Sequence, residues 1–240
     1  MFCLPCPKTS RVHIYQTIIM FIGGIALISG FRAPSAQTTG TIVGQITTSA
    51  VSTNALLPVS TDQDVCGKSV PDESIITGNT GGLGQAIVTL SGTKAISVTE
   101  STVTNIGCRF VPHVQVVTPG TLLRITSHDQ TLHTTHAYLD KWNETLFNFA
   151  IPKSGLAITR RLVKLGHVSL KCDAHPWMVG YILVTDEIGA VTDSDGHFEL
   201  IDIIPGTYKL NVWHETLGIT SKKINVTPGK SSRVTLSLNP

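Results

Sequence analysis

Residues 172–178 read Cys172, Asp173, Ala174, His175, Pro176, Trp177 and Met178, and this stretch decides how the whole chain is read. It puts a thiol, an imidazole and a thioether within one short turn. Immediately upstream, His167, Val168, Ser169, Leu170 and Lys171 alternate apolar with polar. A strand with that period turns Val168, Leu170 and Cys172 to one face, the face that points into a core. Pro176 directly after His175 biases the histidine toward extended backbone and blocks a helix. Beyond Met178, Gly180, Ile182 and Val184 alternate against Tyr181 and Leu183. The expectation is a β-hairpin whose tip carries three metal-binding side chains.

Two imidazoles and a thiolate in a plane, with a weak axial thioether, make a blue copper site, and the soft sulfur ligands favour copper over harder cations. Residues 172–178 supply all but one imidazole. His133 is the foremost candidate for it. His113, beside Pro112, and His214, beside Glu215, are alternative ligands, with structural roles expected for both. His136 lies three residues beyond His133, so on a strand the two face opposite sides; it is expected at the surface or supporting a ligand. His128, His167 and His197 read as exposed. Taken singly, a cysteine at the inner end of a strand is usually a small buried hydrophobe and a lone methionine fills gaps. The joint spacing is what points to metal, because these residues in one non-helical turn serve no common packing purpose. A Cys/His nucleophilic dyad is the rival chemistry, but no third orienting group or oxyanion element accompanies it, and no enzyme activity is expected.

At these residues the chain resembles the cupredoxins, most closely those with a compact ligand loop in which Cys, His and Met are three residues apart, with proline and an aromatic between the last two. The resemblance continues through Cys108 to Val116, Thr121 to His128 and His133 to Tyr138, and spans residues 105–186. It implies a Greek-key β-sandwich holding one type 1 copper ion through His133, Cys172, His175 and Met178. It also implies a docking rim at Pro176 and Trp177, with His175 as the electron exit. Thr134 stands where the family usually carries an asparagine that ties the two ligand loops together, so weaker support of the ligands is expected.

The N-terminus reads separately. Lys8 and Arg11, an apolar run from Thr17 to Gly30, and small residues at Ala33, Ser35 and Ala36 form the pattern of a signal peptide over residues 1–36. A secreted or periplasmic protein is expected, an uncleaved N-terminal anchor being the alternative, with no stable membrane insertion after cleavage. The full chain carries 18 basic and 16 acidic residues, and three of the basic ones lie in the leader. What remains is near neutral, which leaves no basic patch to suggest a nucleic-acid partner. Outside the leader the cysteines are Cys66, Cys108 and Cys172. In an oxidising compartment exposed thiols pair, so one of three is left over. If Cys66 pairs with Cys108, Cys172 is the spare thiol that a copper ligand must be. That bridge closes a loop of about 43 residues and contributes about 4 kcal/mol in the chain-entropy model.

The rest of the chain reads as all-β. Short alternating runs recur from Thr41–Thr47 to Arg233–Leu238, punctuated by Gly, Pro, Asn and Asp, and no amphipathic helix is expected. Residues 49–84 read as a long irregular loop. Residues 192–198 and 204–208 resemble the second half of a carboxypeptidase regulatory-like β-sandwich, with Asp195 and Gly196 fitting a hairpin turn and Pro205 and Gly206 fitting a type II turn. Thr41 to Thr47 and Gly82 to Gly92 resemble its first strands. The expected organisation is therefore a discontinuous sandwich, residues 40–100 and 187–240, with the cupredoxin-like segment inserted. Loops of this kind tolerate insertion because their ends lie close together at the surface.

The expected function is that of an exported type 1 copper protein passing single electrons to or from a redox protein partner. Two other functions fit the same chain. One is copper binding or delivery without redox cycling, and the other is a metal-free interaction or carbohydrate-binding module.

Overall fold

The period-two segments become strands. The computed structural model describes residues 38–52, 55–152 and 154–240, and the expected leader lies outside them. In chain order the strands begin with β1 (Gly40–Thr47), β2 (Leu56–Pro58), β3 (Ser69–Pro71), β4 (Ile87–Ser91), β5 (Glu100–Asn105) and β6 (Phe110–Val111). Next come β7 (Val114–Val117), β8 (Leu122–Ser127), β9 (His133–Leu139), β10 (Glu144–Ile151), β11 (Ile158–Arg161) and β12 (Gly166–Lys171). The chain finishes with β13 (Val179–Val184), β14 (Ile188–Val191), β15 (His197–Ile203), β16 (Gly206–His214), β17 (Gly218–Val226) and β18 (Ser231–Ser237). One α-helical turn, α1 (Gln63–Cys66), interrupts them. The fold is all-β, as the sequence predicts.

Two sheets, β10-β9-β12-β13-β7 and β11-β8-β5-β6, enclose one hydrophobic core. Val103, Phe110, Leu123, Ile125, Leu139 and Ile151 are fully buried there. Two more sheets, β15-β1-β18 and β14-β4-β16-β17, enclose a second core around Ile42, Ile46, Leu83, Leu90 and Leu210. β1 pairs antiparallel with β15 and parallel with β18. The N-terminal strand is therefore held between two strands that follow it by more than 150 residues.

The two cores meet along a polar and aromatic seam. His167 of β12 and Tyr181 of β13 pack on Trp213 of β16, with ring centroids 4.5 Å and 5.4 Å apart. His113, just before β7, hydrogen-bonds Glu215, just after β16. At Gly189 the strands come so close that a Cβ would lie 3.2 Å from Val116, which explains a residue without a side chain there.

Several expectations need correction. Within residues 49–84, expected as an irregular loop pinned by a Cys66 bridge, the bridge to Cys108 is present, and β2 and β3 also pair as a hairpin around α1. Its Val59, Cys66 and Val70 pack into the first core. Tertiary burial and a disulfide, rather than periodicity, hold this segment. Residues 109–117 form two strands rather than one, broken at Pro112, which has no N–H to give a ladder. Gly206 does not take the positive φ of a type II turn; Asp202 has φ 58° instead. The Asp195 and Gly196 turn does form, with Gly196 at φ 78° and its N–H bonded to the Asp193 carbonyl at 3.0 Å. His167 is half-buried against Trp213 rather than exposed.

Candidate metal centre

The hairpin of β12 and β13 closes at the Lys171 and Val179 pair, so residues 172–178 form its tip. Two backbone bonds fold the tip: Met178 N–H to the His175 carbonyl at 2.9 Å, and Cys172 N–H to the Met178 carbonyl at 3.3 Å. On the other side of β12 lies β9, with His136 opposite Lys171. That register sets the start of β9 beside Cys172. Along β9 the inward positions are His133, Thr135, Ala137 and Leu139, all buried.

His133, Cys172 and His175 converge, their ligand atoms all within 4.8 Å of one another, and all three are buried. The Cys172 Sγ lies 3.5 Å from the His175 Nδ1. Met178 sits in the same hairpin tip and, at 1% exposure, in the same core as Cys172. Cys66 and Cys108 are joined as a disulfide, and Cys172 is free. The spare thiol is thus the one at the cluster. A second grouping of Cys108, Asp129 and His133 also occurs, but the Cys108 sulfur is already committed to the bridge.

The protons on the two rings follow from their partners. A carboxylate only accepts hydrogen bonds. The His133 Nε2 lies 3.0 Å from the Asp129 Oδ2, and the His175 Nε2 lies 3.0 Å from the Asp62 Oδ2. Each Nε2 therefore carries its proton and donates it. Both Nδ1 atoms are left with lone pairs, and these face each other at 3.0 Å. Two lone pairs at that distance repel unless a cation or a proton lies with them. Burial, and after it the neighbouring His175, pushes the His133 pKa below its ordinary value of 6.5 despite the pull of Asp129. The neutral ring is favoured, which leaves the pair of Nδ1 atoms and the sulfur as a slot for a soft cation.

The surroundings hold this arrangement. Thr134 donates its backbone N–H to the Cys172 Sγ at 3.3 Å, and its hydroxyl lies 3.7 Å from the same sulfur. Its Oγ1 accepts the Asp173 N–H at 2.6 Å. Threonine thus ties β9 to the ligand loop, against the expectation of weak support. Asp129 is itself fixed, accepting the N–H groups of Gly107 at 2.7 Å and Cys108 at 2.9 Å. Hydrogen bonds from His175 first, and from Thr131 next, hold the Asp62 carboxyl below the usual range.

Of the other expected residues, His136 turns to the opposite face from His133. There it meets Asp173 at 3.2 Å, Thr145 at 3.0 Å and the Tyr138 hydroxyl at 2.6 Å. His113 and His214 are buried at the seam, away from the convergent donors. Pro176 is exposed, while Trp177 is half-buried, 5.0 Å from the His175 ring, and donates its Nε1–H to the Cys108 carbonyl at 3.2 Å. His175 itself has no exposed surface. The expectation that it forms an exposed exit is corrected: Asp62 and the hairpin of β2 and β3 cover it. Sequence reading missed both orienting carboxylates. Asp129 could have been found, since it lies four residues before His133. Asp62 had no local signal, being 113 residues from its partner.

No curated protein matches the chain by sequence. A family described as polysaccharide lyase family 4, domain II, matches residues 189–234. That is a different family from the carboxypeptidase regulatory-like sandwich expected for this segment. Among solved structures, the chain is similar to a copper-containing nitrite reductase from Thermus scotoductus SA-01, at 26% identity and a TM-score of 0.31. The match covers 39% of this chain and only 24% of that one. A purple cupredoxin from Nitrosopumilus maritimus is 20% identical at a TM-score of 0.32, over 35% of this chain and 99% of that one. Amicyanin from Paracoccus versutus is 14% identical at 0.32, over 41% and 97%. The likenesses are partial, and the case for the site rests on its own geometry.

Proposed function

We propose that this chain is an exported copper protein that passes single electrons to or from a redox protein partner, with one type 1 copper ion held by His133, Cys172, His175 and Met178. The observation that supports it is the pair of Nδ1 lone pairs meeting at 3.0 Å beside a free buried thiol. Copper in such a ligand set would supply a one-electron couple, and the soft sulfur ligands favour it over harder cations such as calcium. The chain's own residues supply the rest. Asp129 and Asp62 aim the two imidazoles, Thr134 donates to the sulfur, and burial keeps water from the donors. A rigid, dry ligand set lowers the reorganisation that each electron transfer requires.

In this reading the protein is a carrier rather than an enzyme. The partner docks on the exposed side of the ligand loop, where Asp173, Ala174 and Pro176 reach solvent; brief redox encounters use small interfaces. We also propose that residues 40–100 and 187–240 form a carrier sandwich into which residues 105–186 are inserted, with the hairpin of β2 and β3 leaving that sandwich to pack into the first core. The pairing of β1 with β15 and β18 supports that organisation. Export rests on the leader expected over residues 1–36. Among the described residues no helix is long and apolar enough to cross a membrane.

One observation favours a second function. A buried His175 offers no imidazole edge to a partner, which suits a protein that holds or delivers copper. Voltammetry of the copper-loaded chain separates the two. A reversible one-electron wave is expected for the carrier; copper held only as Cu(I), with no return wave, rejects it in favour of delivery.

A further inference from the structure

His175 is covered by a segment more than a hundred residues earlier in the chain, and that segment is fastened at several points. Its Asp62 Oδ2 meets the His175 Nε2 at 3.0 Å. The Thr61 hydroxyl reaches the Ala174 carbonyl at 3.5 Å. Asp62 also accepts a hydrogen bond from Thr131, two residues before His133. Four residues beyond Asp62, Cys66 is bonded to Cys108, and the Cys108 carbonyl accepts the Trp177 indole N–H at 3.2 Å. Val59, Cys66 and Val70 are buried in the first core. The cover therefore grips the ligand loop on both flanks of His175.

Asp62 is held in an unusual way. Its backbone is left-handed, at φ 53° and ψ 36°, immediately before α1. Aspartate tolerates that conformation better than most residues with a Cβ. The short helical turn and the disulfide then fix the height at which the carboxylate meets the ring. An imidazole that donates one N–H to a fixed carboxylate has its tautomer and plane set, and its other nitrogen is aimed at the metal position.

We propose that Asp62 is a positioning residue of the metal centre, carried on a disulfide-pinned cover, which fixes His175 with Nε2 protonated and Nδ1 free and closes that side of the site to solvent. The part that concerns metal rests on the copper reading; the part that concerns the tautomer does not. If the arrangement holds, the cover slows both loss of the ion and entry of competing ligands. Opening it requires breaking contacts on two sides at once, or the Cys66 and Cys108 bridge.

The test uses the full chain with ¹⁵N-labelled histidine. Asp62→Gly keeps the left-handed backbone accessible and removes the acceptor, whereas Asp62→Asn keeps an oxygen that can still accept the Nε2 proton. In the metal-free wild type, long-range proton-nitrogen spectra are expected to show His175 protonated at Nε2 and free at Nδ1. Asp62→Gly should give a mixture of tautomers, and Asp62→Asn should restore the single one. After copper loading, extraction by a chelator should be about 10- to 100-fold faster in Asp62→Gly than in wild type. Cys66→Ser with Cys108→Ser should speed it in the same direction; should that pair fail to fold, the Asp62 variants still decide. A His175 tautomer unchanged by Asp62→Gly overturns the proposal, as does an unchanged extraction rate. A fixed tautomer in a wild-type chain that takes up no copper rejects the copper reading and leaves the role of Asp62 in orienting His175 standing.

Discussion

The two cores of this protein are built from the same material and differ in what they bury. Around Ile42, Leu90 and Leu210 the interior is almost wholly aliphatic, as expected of a sandwich whose strands alternate cleanly. Around Leu123 and Leu170 the interior also takes in Asn105, Thr121, Ser127, Asp129, His133, Thr135 and His175. Burying polar groups is costly unless they are paired; Asp129, His133 and His175 are paired around one point, whereas the Asn105 amide and the Thr135 hydroxyl have no partner among the described residues. The Asp129 carboxylate is bonded three times, and His133 and His175 each carry a carboxylate at the far nitrogen. Among the described residues, both potential metal groupings fall in this core. A β-sandwich needs no such residues to fold, and their concentration is why the proposed function is assigned to this half.

That contrast can be broken or sharpened by perturbing one half at a time. The largest expected effect is at the bridge. Replacing Cys66 and Cys108 by serine frees a loop whose ends are separated by 42 positions in sequence and is expected to destabilise the first core by about 4 kcal/mol. Denaturant unfolding followed at Trp177 and at Trp213 should show the loss chiefly at the former. Next comes Leu210→Ala, fully buried in the second core, which should cost about 3 kcal/mol and leave copper uptake unchanged. A variant that loses copper as well as stability would join the two halves into one cooperative unit.

A smaller effect is expected at the seam, and its sign differs from that at the metal centre. Burial works against charge on His113, but the Glu215 carboxylate outweighs it and raises the His113 pKa above 6.5. Its contribution is therefore full below about pH 6.5 and lost as pH rises through the raised value. His133 has a lowered pKa, so its contribution in the metal-free chain is full above about 6.5 and lost as pH falls toward the lowered value. Stability measured against pH should accordingly fall on both sides, and Glu215→Gln should flatten the alkaline side. The smallest effect is at Lys164 and Glu144, a pair 48% and 41% exposed; Lys164→Ala should cost less than about 1 kcal/mol.

How much of this was legible in the sequence follows the same division. The hairpin of β12 and β13 was readable because its inward positions are Val168, Leu170 and Cys172, then Gly180, Ile182 and Val184, all buried apolar residues or glycine alternating with polar or bulkier ones in sequence. β9 carries no alternating apolar run in its sequence, though its burial alternates at every residue. Its inward residues begin with His133 and Thr135, and these buried polar side chains erase the apolar signal that marks a strand. β5, with Glu100, Ser101 and Thr102 leading it, was hidden for a similar reason. Three of the four expected ligands are neighbours in sequence and could be read together. The cover on His175 could not, because Asp62 reaches its partner only through a disulfide and a packed hairpin that no local pattern announces.

Copper loading of the full chain, read by its visible spectrum beside Cys172→Ser, tests the central claim most directly. The geometry of His133, Cys172 and His175 predicts one Cu(II) per chain with an intense thiolate-to-copper absorption that vanishes in the serine variant. A wild-type chain that takes up no copper, or a band that survives the loss of the sulfur, would contradict it.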